Sequence, residues 1–285
     1  MKKHIGTNAM GGIPPATNET STAVVPATPT GIAATIDYGQ DAGAGFENQT
    51  QADISIPFLK VLQGLSPEVT KYNAAKPGML FNTVTEEVSS SVTFVPATTR
   101  HVYVEWKPRS EGGGFIAEHQ VNSPVVTKAQ GESQKFGEYF VGKNELVETF
   151  YVYGMLLDEN GDPSGPAILG FTSTKIGPYK KWNTRINMFQ IKTADGRKVR
   201  PPLFAHSVKL TTEIEHRAKG DSFNVVLNPA KGDVAASLLP PGHPALEAAK
   251  SLRDMVQSGG ARAAYETAGG SDNEVPAGAA PDWNK

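Results

Sequence analysis

The 285 residues contain no cysteine, which removes disulfides, thiolate zinc sites and a catalytic thiol together. Long apolar runs are missing too. No stretch approaches the roughly 20 apolar residues that a membrane-spanning helix needs. The opening MKKHIGTNAMGGIPPATNET has lysines but no continuous apolar core, so it does not read as a secretory signal. Excess charge of either sign is also scarce. The 27 Lys and Arg against 29 Asp and Glu leave a net charge of −2. A generic polyanion binder is thereby excluded, and any nucleic-acid role must rest on a local patch. The simplest expectation is a soluble cytosolic protein that does not engage a membrane.

Glycine and proline are plentiful, with 29 and 21 copies, which favours many short elements and turns over long helices. Residues 1–50 are rich in Ala, Thr, Gly and Pro and poor in large apolar side chains. Such a segment cannot bury enough surface to offset its ordering entropy, so it reads as a disordered tail. Residues 259–285 read as a second flexible tail, mildly acidic, with Glu266, Asp272, Glu274 and Asp282. One globular domain is expected between them, over residues 51–258.

Within that domain the pattern is mainly β. DISIPFLKVLQ, PGMLFNTVT and SSVTFVPATT read as strands, and Pro57 suggests an edge. RHVYVEWK alternates, with Val102, Val104 and Trp106 on one face and His101, Tyr103, Glu105 and Lys107 on the other. The β-branched and aromatic run ELVETFYVYGMLL reads as a central strand, DENGDPSG as its turn and PAILGFTS as its partner. PLFAHSVKLTTEIEHRAKGDSFNVVLNP reads as a hairpin turning at KGD. Two helices are expected. In STKIGPYKKWNTRINMF, Ile176, Tyr179, Trp182, Ile186 and Phe189 recur at steps of three and four, with Ser173 or Thr174 as N-cap. HPALEAAKSLRDMVQSGG has Pro244 at its start and Gly259 after its end. A β-barrel of the oligonucleotide-binding kind, with one helix between strands and one at the C-terminal end, fits this order. A β-sandwich fits it too.

The strongest physical signal lies in residues 171–220. That window holds eleven basic residues and three acidic ones, a local balance of +8 against −10 for the rest of the chain. Cations that meet phosphates release counterions and give salt-sensitive, sequence-independent affinity. Lys175, Lys180, Lys181 and Arg185, with Arg100, Lys107 and Arg109 from the first aromatic strand, are the candidate phosphate contacts. Single-stranded nucleic acid also requires aromatic faces for its bases. Tyr103, Tyr151 and Tyr153 are the candidates, with Trp106 and Trp182 behind them. If Phe150 and Val152 point into a barrel, Tyr151 and Tyr153 point out. The competing reading makes these rings core and the lysines an ordinary wet helix face.

Other chemistry is thin. EGGGF lacks the helix and lysine of a phosphate-binding loop, serines occur without a nucleophile elbow, and the histidines show no metal-ligand spacing. His101 and His119 flank Glu105 and Glu111, which leaves a dispersed metal site as an alternative. DENGDPSG lacks the spacing of a calcium loop. No paired catalytic set is present, and neither a cofactor nor an enzymatic activity is expected.

The segments IPFLKVLQGLSPEV, PGMLFNTVT, FVPATTRHVYVEWKPRSEGGGFIAEH and FTSTKIGPYKKWNTRI together resemble single-stranded DNA-binding proteins of tailed bacteriophages, over about residues 53–257. That resemblance implies an oligonucleotide-binding fold and sequence-independent coating of single strands during phage replication or recombination, in the cytoplasm of the infected host. It also implies an acidic C-terminal tail that recruits replication proteins, and it is compatible with a homo-oligomer. Here the tail is only weakly acidic and closes on PDWNK, a departure that weakens the recruitment role more than DNA binding. Two rivals remain: a virion or internal structural protein, and a nuclease with a dispersed carboxylate–histidine site.

Overall fold

The computed structural model describes residues 39–41, 44–48, 55–216, 221–259 and 262–263. The tail readings at 1–38 and 264–285 lie outside the described residues. The chain divides into two units, Met1–Asn48 and Gln49–Lys285. The described part of the first holds a 3-10 turn at Gly39–Asp41.

In chain order the second unit runs β1 (Ser55–Ile56), β2 (Leu59–Val61), α1 (Pro67–Lys71), β3 (Leu80–Asn82), β4 (Val88–Ser89), β5 (Val92–Trp106), β6 (Phe115–Gln120), α2 (Pro124–Glu132), β7 (Phe140–Val141), β8 (Asn144–Leu157), β9 (Pro163–Thr172), α3 (Ile176–Met188), β10 (Ile191–Lys192), β11 (Lys198–Val199), β12 (Val208–Glu215), β13 (Ser222–Pro229), α4 (Pro244–Gln257) and β14 (Arg262–Ala263).

Two long strands organise it. β5 and β8 pair antiparallel from Thr93 opposite Leu157 to Trp106 opposite Glu145. β9 returns along the other side of β8, from Thr172 opposite Thr149 to Pro163 opposite Leu157. β12 joins the start of β5 and forms the expected hairpin with β13, although its turn at 217–220 lies outside the described residues. β6 joins the end of β5, and β7 the start of β8. The outcome is a seven-stranded antiparallel sheet that does not close into a barrel. Among the described residues no ladder joins β13 to β9, or β6 to β7.

The reason lies in β8, whose two faces are both apolar. Residues directly opposite on paired strands share a face. Val147, Tyr151 and Tyr153 of β8 therefore lie with Val102, Val104 and Trp106 of β5, under Ala245, Leu246, Ala249 and Leu252 of α4. Phe150 and Val152 lie on the opposite face with Leu169 and Phe171 of β9, under Tyr179, Trp182 and Ile186 of α3. Farther along that second face, Val126 and Ala129 of α2 cover Tyr103 and Leu146. Each large side chain so buried contributes about 1.5–3 kcal/mol. A barrel strand can leave one face wet. A strand with rings on both faces needs a cover on each, and the helices supply it.

Three local details differ from the sequence reading. SSVTFVPATT and RHVYVEWK form one 15-residue strand. The register shifts between Pro96 and Thr98, and that bulge absorbs the missing proline N–H. The side chains of Ser173 and Thr174 do not cap α3. Ser173–Lys175 form a 3-10 turn leading into the helix, with Ser173 at φ +46° and no side-chain cap bond. Helix α2, absent from the reading above, starts at Ser123, whose Oγ accepts from the Val126 amide at 3.4 Å. The C-terminal helix matches expectation, with Pro244 in its first turn and His243 Nδ1 accepting from the Ala245 amide at 3.2 Å. A two-residue parallel ladder, Ser55 to Arg262 and Ile56 to Ala263, ties β1 to β14.

Candidate nucleic-acid interface

Helix α3 sets the geometry. Its apolar stripe, Tyr179, Trp182 and Ile186, is buried against the sheet. Burial pushes the Tyr179 phenol above its ordinary pKa. The helical period then puts Lys180, Lys181, Arg185 and Met188 on the opposite, exposed side. None of these three cations meets a described acidic side chain. Lys180 Nζ lies 5.3 Å from the centroid of the Phe150 ring.

The β10–β11 hairpin follows directly and is docked to the helix, with Arg200 Nη1 donating to Asn187 Oδ1 at 2.6 Å. Lys192 and Lys198 stand directly opposite each other across its two-residue ladder. Like charges in that position destabilise a strand pair, as Lys181 and Arg185 do four apart on a helix. Only Arg197 is neutralised, its Nε 2.5 Å from Asp195 Oδ2. Between residues 176 and 202 the chain has seven basic residues and one acidic one, that Asp195.

The rest of the expected patch does not converge here. Lys175 is 6 % exposed and buried in the 3-10 turn rather than on the wet face. Arg100 is opposite Tyr151, so it lies on the α4 side of the sheet, where it is ion-paired with Glu118. Lys107 and Arg109 are exposed beyond the far end of β5. At ~3.3 Å per strand residue, Lys107 is about 20 Å along the chain from His101, which pairs with Phe150 beside α3.

The expected stacking rings are buried. Tyr103, Tyr151 and Tyr153 are 4 %, 4 % and 1 % exposed, and Trp106 and Trp182 are buried as well. Tyr151 and Tyr153 do point away from Phe150 and Val152, as the alternation predicts. The face they point to is under α4. Burial holds the Tyr153 phenol above its ordinary range, with Arg100 opposing, and also raises Tyr103, with nearby Glu148 adding to it. Tyr103 receives a hydrogen bond from Gln130 Nε2 at 2.9 Å and packs edge-on to Tyr139. None of the three rings offers a free face to a base.

The Glu105 carboxylate, also buried, lies 2.8 Å from His119 Nε2 and accepts from Asn144 Nδ2 at 2.6 Å. Among the described residues no group of three or more His, Asp or Glu could hold a metal ion.

The family described as Pam3 phage gp34-like protein matches residues 21–262. The chain belongs to that family. Searches of curated proteins and of solved structures gave no match. For this gp34-like protein the affiliation establishes a phage protein, and its family span takes in the whole sheet together with α3 and the basic hairpin.

Proposed function

We propose that this gp34-like protein is a non-enzymatic binder of single-stranded DNA, without sequence preference, acting in phage replication or recombination in the cytoplasm of the infected host. The observation that carries this reading is the α3 and hairpin surface. There Lys180, Lys181, Arg185, Lys192, Lys198 and Arg200 gather with no acidic partner among the described residues. The surface keeps two like-charge juxtapositions that a phosphate chain would relieve. The kinship to oligonucleotide-binding proteins rests on the sequence resemblance, and phage replication proteins would be its partners. Affinity comes mainly from phosphate contacts and falls with salt.

Titration of fluorescent oligo-dT across a salt series tests it. Replacing Lys180, Lys181 and Arg185 together by Ala removes three phosphate contacts, so the log–log salt slope becomes shallower by about 2. A wild-type protein that ignores the oligonucleotide at low salt, or binds it independently of salt, refutes the proposal.

A second reading, a virion or internal structural protein, is favoured by the apolar rings near β7. Phe136 is 95 % exposed and Phe140 is 51 % exposed. A cavity of about 420 Å³ is lined by Phe140 and Ala129 together with Glu132, Gln134, Lys135 and Glu138. Mass spectrometry of purified virions tests it, and high copy number there supports it.

A further inference from the structure

Between α2 and α3 the sheet is floored by a stack of two rings. His101 and Phe150, opposite each other on β5 and β8, lie with centroids 3.9 Å apart and planes 14° apart. The imidazole is held in place by Glu148, whose Oε1 is 3.0 Å from Nε2. Phe150 covers one face of the imidazole and Glu148 holds one edge, yet the His101 side chain remains 35 % exposed. The Tyr103 ring, next along the same face of β5, has its centroid 6.2 Å from the imidazole and its plane tilted by 34° to it. Lys180, the first cation of the α3 surface, also sits over the Phe150 ring. A flat, immobilised ring thus adjoins an unneutralised cation through one shared phenyl group.

We infer that His101, backed by Phe150 and fixed by Glu148, is the platform on which an unpaired nucleobase stacks while Lys180 meets the neighbouring phosphate. The inference rests on the single-stranded DNA reading and names its recognition element. It assigns the ligand class as a strand with free bases, since a ring that stacks on one base face needs that face unoccupied. Duplex bases are already stacked, and a bare polyanion has none. The two rings lie across strands in a fixed register, so the platform is preformed and no loop must order to build it.

The experiment compares three probes of equal length: oligo-dT, an abasic oligodeoxynucleotide and duplex DNA. His101→Ala weakens oligo-dT binding by about 5- to 150-fold, the range for losing one stacked base, and leaves the abasic strand unchanged. His101→Phe keeps a ring there and retains most of the oligo-dT affinity. Wild-type protein prefers oligo-dT over both other probes. Thermal melting of each variant confirms folding, and the His101→Phe comparison stands even if the alanine variant is unstable. Equal loss on oligo-dT and the abasic strand, no loss on either, or loss with His101→Phe as large as with His101→Ala overturns the platform alone. A wild-type protein that binds none of the probes overturns the DNA reading along with it.

Discussion

Gly154 of β8 lies beneath Phe94 of β5: a Cβ at Gly154 would stand 2.3 Å from the ring's Cζ and 2.4 Å from the carbonyl oxygen of Val95. Real Cβ atoms do not come that close, and one of the two obstacles is backbone. Gly154→Ala is therefore expected to destabilise the protein by about 1–3 kcal/mol, as overpacking does. Gly177, in the first turn of α3, has nothing within 4 Å of the same position. Gly177→Ala is expected to raise stability by about 0.5–1 kcal/mol. Paired thermal or urea melts check both signs.

The tyrosines separate folding from binding. Tyr151→Ala and Tyr153→Ala open the α4 face of the core and are expected to cost about 3–5 kcal/mol, like other large aromatic truncations. Tyr151→Phe preserves the packing and is expected to leave oligo-dT affinity within about twofold, well below the loss of a stacking contact. Denaturant melts and oligonucleotide titrations on the same preparations measure the two effects.

The opposed lysines of the hairpin make the reverse case. Lys198→Glu turns the Lys192 contact from like-charge to opposite-charge, which favours the strand pair by about 0.2–1 kcal/mol. The same change places a carboxylate on the basic surface, so oligo-dT affinity is expected to fall and the salt slope to flatten. Stability up with binding down marks a surface kept for a ligand rather than for folding.

His206 supplies a pH dependence. It is 3 % exposed, and burial lowers its pKa below the ordinary 6.5. At pH above 6.5 the residue is neutral in both states and contributes no slope. As pH falls below 6.5 the unfolded chain takes up a proton that the fold resists, so stability drops. The slope reaches at most about 1.4 kcal/mol per pH unit and ends at the folded-state pKa. His206→Leu, of similar size, is expected to flatten urea-midpoint profiles measured between neutral and mildly acidic pH.

Much of this architecture was legible in the letters. Period-two alternation located the strand at 100–107, β-branched and aromatic content the one at 145–157, and period-3.6 spacing α3 and α4. Alternation also put Tyr151 opposite to Phe150 correctly. It could not reveal what covers each face, because that depends on where distant helices dock. A barrel read from strand order left the tyrosines wet, and α4 made them core. The basic surface was half visible: Lys180, Lys181 and Arg185 follow from the helical stripe. The separation of Arg100 and Lys107 from them follows from sheet register, which local sequence does not encode. In the sequence His101 and Phe150 lie beside Tyr103 and Tyr151. Their stacking requires the cross-strand pairing of β5 with β8, set by the bulge at Pro96.

The β1–β14 ladder has a mechanical corollary. Two residues early in the described part of the second unit are laced to two late in it, and Ile56 reaches from that seam into the cluster under α4. So short a seam frays long before the β5–β8 ladder yields. When it frays, β1 and β14 loosen in the same event. Amide exchange at Ile56 and Ala263 would then run at a common rate, a coupling that joins residues 207 positions apart in the chain.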